Sequence, residues 1–263
     1  PYTNFWRAPI DNDYGNNLPL RSKEWKTASN NREFVSINHT RIDANLIEVV
    51  VNFSLNNIDS SNKLTYLINS KGVLKLKNEF TYSGSLKDAQ MPRFGMNFTM
   101  PKSYKNIVWY GRGPHENYID RKSSAFVGLY ENLVEDLDFE YSRPQENGYR
   151  TDVRWFRALN ENNIGFEIKG EPLISFSAHY NTIEDFDDGL RPNNPGEKVG
   201  TRKRIIKKQR KPIDVPKRDF ISLNIDLKQM GVGGDNSWGA RTLPKYTINP
   251  GNYTYSFTIF PVN

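Results

Sequence analysis

Apolar residues recur at every second position of this chain, in run after run. Tyr253, Tyr255, Phe257 and Ile259 alternate with Asn252, Thr254, Ser256 and Thr258. Leu223, Ile225 and Leu227 alternate with Ser222, Asn224 and Asp226, and Leu74, Leu76, Phe80 and Tyr82 share a side opposite Lys75, Lys77 and Glu79. Similar runs hold Ile47, Val49, Val51 and Phe53; Val153, Trp155 and Leu159; and Ile174, Phe176, Ala178 and Tyr180. A period of two puts successive side chains on opposite faces of an extended strand, so each run predicts a strand with one face on a core and the other in water. Turn signals separate the runs at Lys71-Gly72, Ser83-Gly84, Asn147-Gly148 and Pro250-Gly251. Helical periodicity is scarce. The best segment spans residues 182–190, with Thr182 as the cap, Glu184 and Asp185 in the first turn, and Pro192 beyond its end. So many antiparallel strands in 263 residues predict an all-β fold, a large antiparallel two-sheet sandwich.

Several chemistries are excluded. The chain has no cysteine, which removes disulfides, thiol catalysis and cysteine-ligated zinc. Its three histidines, His39, His115 and His179, lack metal-ligand spacing. There is neither a phosphate-binding glycine loop before a helix nor a Gly-x-Ser-x-Gly elbow. No apolar window approaches the ~18 residues of a membrane helix, so no membrane partner is expected. The net charge of +6 is concentrated: residues 202–218 hold nine Lys/Arg and one Asp, leaving the rest slightly acidic. That run has no interleaved aromatic residue and no nucleic-acid motif, so it predicts a solvated insertion, about 193–218, rather than a nucleic-acid site. We expect one domain over 1–263, with a linker or active-site loop at about 1–25, and read the aromatic-rich start as that of a piece of a longer protein. Nothing in the sequence assigns a compartment.

Four stretches carry candidate chemistry. Glu116, in Gly111-Arg-Gly-Pro-His-Glu-Asn-Tyr-Ile-Asp-Arg121, and Glu146, in Pro144-Gln-Glu-Asn-Gly-Tyr-Arg150, are each followed by an asparagine, Asn117 and Asn147, with arginines at Arg121 and Arg150. Such carboxylates serve as acid and nucleophile of a glycosidase if held ~5 Å apart. Alternatively each accepts backbone N–H bonds and an arginine to pin a loop. Asp11-Asn12-Asp13 begins like a calcium loop but lacks the closing glutamate. In Gly231-Val-Gly-Gly-Asp-Asn-Ser-Trp238-Gly, four glycines make a tight turn around one indole. That indole either stacks on a sugar or plugs a core.

The segments Asn4-Phe-Trp-Arg-Ala-Pro-Ile-Asp-Asn-Asp13, 109–121, 144–150 and Met230-Gly-Val-Gly-Gly-Asp-Asn-Ser-Trp238, taken in order, resemble the C-terminal, small-chain domain of glycoside hydrolase family 2 β-galactosidases. The resemblance implies a β supersandwich related in architecture to galactose mutarotase, within an enzyme that hydrolyses terminal β-D-galactosides with retention. It implies that the catalytic glutamates lie on a (β/α)₈ barrel domain of the same polypeptide, a partner for which this chain has no room. Glu116 and Glu146 are then structural. Trp238 is then the tryptophan that stacks on the leaving-group sugar, Asp235 and Asn236 shape its turn, and Gly15 and Asn16 open a loop bordering the same pocket. The resemblance further implies magnesium and sodium in the barrel domain, no cofactor in this segment, a carbohydrate ligand, and a homo-oligomeric enzyme. The alternatives are a stand-alone carbohydrate-binding module and an aldose mutarotase using His179.

Overall fold

The structure, a computed structural model, describes residues 1–86, 88–187, 211–236 and 239–263. Among them are twelve strands: β1 (Tyr2–Asn4), β2 (Arg32–Arg41), β3 (Leu46–Leu55), β4 (Ser60–Asn69), β5 (Leu74–Tyr82), β6 (Arg93–Pro101), β7 (Asn106–Gly113), β8 (Phe126–Leu133), β9 (Arg150–Leu159), β10 (Gly165–His179), β11 (Phe220–Gln229) and β12 (Tyr253–Val262). Helices are short: α1 (Asp11–Gly15), α2 (Leu18–Arg21), α3 (Lys23–Ala28), α4 (Val134–Leu137) and α5 (Ile183–Phe186). Every strand pairing is antiparallel. The fold is all-β, as the alternation predicts. The basic stretch lies largely outside the described residues.

The strands form two layers that share β10. Its first half, Gly165–Glu171, pairs with β12, which continues through β5, β4 and β3 to β2. Its second half, Ser175–His179, pairs with β11, which continues through β6 to β1. On its other edge β10 pairs with β9, with register shifts between Lys169 and Phe176, and β9 leads to β7 and β8. The core lies between the layers. Phe94 and Phe98 of β6 meet Phe80 of β5 and Phe257 of β12, with ring centroids 5.9 Å apart in both pairs. Phe176 of β10 stacks on Phe156 of β9 at 4.5 Å. Each buried ring of this size stabilises by about 2–3 kcal/mol as an upper bound, so such contacts set the strand register.

The expectation of one wet face fails for β10 and β11. In β11 the polar set Ser222, Asn224 and Asp226 is buried along with the apolar set, and in β10 Ser175, Ser177 and His179 are buried too. Long loops cover that second face, and side-chain bonds link much of it. Asn224 accepts from Asn4 (3.1 Å) and Asn97 (3.0 Å) and donates to Ser177 (3.2 Å). The N-terminal segment differs from the expected linker or loop as well. Phe5, Leu18 and Trp25 are fully buried, and α1 to α3 occupy residues expected to be irregular.

Candidate functional site

The loops covering the polar face of β6, β10 and β11 carry the motifs, and buried arginines organise them. Arg93 of β6 has no exposure. Its Nη2 donates to Glu146 Oε1 at 2.8 Å, its Nε to Gln229 Oε1 at 3.0 Å, and Asp226 Oδ2 lies 3.2 Å from Nε. Burial opposes the guanidinium's charge, yet Asp226 and Glu146 hold it firmly protonated. Burial pushes the Asp226 carboxyl up to about 7 despite that arginine. Gly95 makes room for this carboxylate, since a Cβ there would stand 1.7 Å from Asp226 Oδ1.

Glu116 is 8% exposed and holds a second loop. It accepts from the Gly148 backbone N–H at 2.8 Å and from the Tyr118 hydroxyl at 3.3 Å, and it pairs with Arg121 and Tyr141. Asn117 accepts from Thr151 N–H (3.0 Å) and Oγ1 (2.6 Å). Asn147 accepts from Phe139 N–H at 3.2 Å. Arg150 donates to the carbonyls of Leu137 (3.1 Å) and Pro114 (3.0 Å), and burial pushes it down to about 10. Glu116, through Gly148 and Tyr141, and Arg150, through Leu137 and Pro114, therefore tie loop 114–121 to residues 137–149. Between the two loops and Ile10–Asn12 lies an open cleft of about 200 Å³, lined also by Tyr118, Arg121, Gln145 and Glu146.

Val232, in the glycine-rich segment after β11, also lines that cleft. Arg7 has no exposure and lies against Asp13 with its Nη2 at 2.9 Å, and it donates to the carbonyls of Met230 (2.7 Å) and Gly231 (3.0 Å). Asp120 accepts from the N–H groups of Val232 (3.1 Å) and Gly233 (2.7 Å). On the far side, Gly239 has φ of +110° and sits on Gly15, where a Cβ would be 2.3 Å from the Gly15 carbonyl carbon. Only glycine combines that φ with that approach. Asn236 accepts from Ala240 N–H at 3.3 Å, and Asp235 and Asn236 are both exposed. Trp238 lies outside the described residues. Its described neighbours on both sides are thus anchored, next to Gly15 and the cleft.

One further expectation needs correction, the open loop after Gly15. Asp13 is 2% exposed and engaged by Arg7 and by the Ile10 N–H at 3.1 Å, so Asp11-Asn12-Asp13 is a helix start rather than a calcium loop. The segment after Gly15 is helical rather than an open loop, with Leu18 buried and Asn16 accepting from Arg21 Nη2 at 3.1 Å. No group of three or more His, Asp or Glu suited to a metal occurs among the described residues. His179 does meet a carboxylate, with Nδ1 2.5 Å from Asp138 Oδ1, and despite its burial the pairing raises its pKa. The cavity beside it holds only about 10 Å³, room for one water and far too little for a sugar ring. Sequence reasoning missed Arg7, Arg93, Asp120 and Asp226. Arg7 and Asp120 lie inside motifs already singled out, whereas Arg93 and Asp226 sit in alternating strands and gave no local signal.

The model of the family described as "Beta galactosidase small chain" matches residues 1–259. This chain belongs to that family. Among relatives of the small-chain family, the beta-galactosidase of Priestia megaterium is 35% identical over 260 residues, covering 98% of this chain and 23% of that protein. The beta-galactosidase of Halalkalibacterium halodurans is 31% identical over 254 residues, covering 94% and 23%. The chain thus spans about a quarter of the length of these relatives. Among solved structures, a GalM/aldose epimerase homologue from C. elegans aligns with a TM-score of 0.40 at 11% identity, covering 87% of this chain and 69% of that one.

Proposed function

We propose that this small-chain domain is the C-terminal part of a retaining β-galactosidase of glycoside hydrolase family 2, and that it walls the leaving-group side of the active-site cleft. The observation that carries the reading is identity to a beta-galactosidase sustained over 98% of the chain while filling only 23% of that relative. The anchoring of residues 230–233 by Arg7 and Asp120, and of Gly239 against Gly15, supports it, because a stacking indole needs firm supports on either side. Trp238 then offers its face to the C–H side of the departing sugar.

The bond-breaking groups belong to a barrel domain elsewhere on the polypeptide, where one carboxylate attacks the anomeric carbon while the other protonates the leaving oxygen. Water, deprotonated by that second carboxylate, then attacks the anomeric carbon and releases the first. Magnesium and sodium, where used, belong to that barrel. The residues here hold the leaving-group sugar and exclude water. Glu116 and Glu146 are each already engaged by an arginine. The test uses the full-length polypeptide. It should hydrolyse β-galactosides, and Trp238→Ala should weaken binding of the acceptor sugar about tenfold, a loss of roughly one stacking contact, while galactose inhibition stays constant. Unchanged acceptor binding would refute the subsite role. The 263-residue chain alone should show no turnover; turnover lost on Glu116→Gln or Glu146→Gln would refute the division of labour.

A further inference from the structure

The layer containing β2 to β5 reaches farther than the layer that covers it. On the core-facing side, the register aligns Ile37 with Val51 and Leu64, and Ile47 with Ile68. Cover extends over the near end of this face: Thr3 of β1 donates to Asn62 at 2.6 Å, and Leu64 is 3% exposed. Beyond it the same apolar side continues into water. Phe34 is 62% exposed, Ile37 59%, Ile47 44% and Ile68 41%, with Val49 and Tyr66 half-buried between them. That side carries His39 and Arg41 and no carboxylate, whereas the reverse side of the same strands carries Glu48 and Lys63. β2 is also ten residues long and, among the described residues, an edge strand with one strand partner. An apolar strip continuous with a core, ending on an unpaired edge, is a liability unless something covers it.

We infer that this overhang is the seat of another part of the same full-length polypeptide, one presenting apolar side chains with a carboxylate toward His39 and Arg41. Two observations choose that occupant over a second copy. The relatives are about four times as long as this chain, so most of each such polypeptide lies outside it. The strip is also small. Three strands ~4.8 Å apart, over about eight residues of ~3.3 Å, cover on the order of 400 Å². That is about half of the ~800 Å² per side of a stable free interface, whereas a tethered partner needs less because its effective concentration is high. The inference rests on the proposed function only in taking the chain as part of a longer polypeptide.

The chain has no cysteine, so single thiols report cleanly. Ile37→Cys, Ile47→Cys and, on the reverse face, Lys63→Cys are placed in both the 263-residue chain and the full-length polypeptide. Maleimide labelling is then read peptide by peptide, with mass by light scattering and galactosidase activity assayed separately. Residues 37 and 47 should react at least tenfold more slowly in the full-length protein than in the short chain, at every dilution, while residue 63 reacts equally in both. Equal reactivity at 37 and 47 overturns the inference whether or not the enzyme is active. Protection that disappears on dilution, or that accompanies a dimeric mass of the short chain, assigns the strip to a second copy and also overturns it. Should the short chain fail to fold, the full-length protein decides alone: native labelling at 37 and 47 must be tenfold slower than at 63, and an equal rate refutes the seat.

Discussion

Asp226 carries a carboxylate with no exposure, and burial weighs on its ionised form. Its folded pKa, about 7, stands above the ~3.9 of an unfolded aspartate. The sign follows: the stability it contributes is fully present below about pH 4 and is lost as pH rises through about 7, at up to ~1.4 kcal/mol per pH unit. His179, raised by Asp138, slopes the same way near neutrality, so the comparison must be between variants. Urea denaturation of Asp226→Asn should show a shallower decline between pH 4.5 and 7 than the parent, and parallel declines would refute the assignment. At the neighbouring position, Gly95→Ala drives a methyl into the Asp226 carboxylate and toward its Cα, 2.8 Å away. A loss of roughly 3 kcal/mol or more is expected in the same assay; a loss under about 1 kcal/mol would mean the two strands separate easily. Neither residue announced itself. Alternation reveals which residues share a face, but whether loops roof the polar face depends on contacts distant in sequence. Asp226 in a strand therefore looked like a solvent-facing residue.

Among elements, the segment that follows β11 shows how a turn is fixed without regular structure. Asp120 satisfies two successive N–H groups, and Arg7 satisfies two successive carbonyls. Asp120→Ala leaves Val232 and Gly233 without those acceptors, at about 1–3 kcal/mol of local stability. Amide hydrogen exchange in 231–236 should accelerate at least fivefold while β12 stays unchanged; unaltered exchange would show that the turn holds itself. Local signals did place one helix start. Thr182 Oγ1 accepts from Asp185 N–H at 3.3 Å, as expected of a cap. The helices between residues 11 and 28 escaped notice because elements of four to six residues are too short to display a period. Burial of Leu18 and Trp25 holds them, a tertiary cause with no local trace.

At the level of the whole molecule, the first 28 residues belong to the core. Phe5 meets Phe80 at 4.9 Å and Trp25 at 5.7 Å, and Trp25 donates to the Ala89 carbonyl at 2.9 Å. Deleting residues 1–28 should abolish the cooperative unfolding transition seen by circular dichroism, and a truncated chain that still melts sharply would contradict this. The strand runs, the turns and the order of motifs were readable from the chain because they are local. The sharing of β10 was not, because a strand that changes partners midway has the same alternation as one that does not. That sharing constrains how the protein can move. With one strand threaded through both ladders, the two halves resemble pages sewn to a common spine: they can flex together, but neither can slide past the other without tearing the seam.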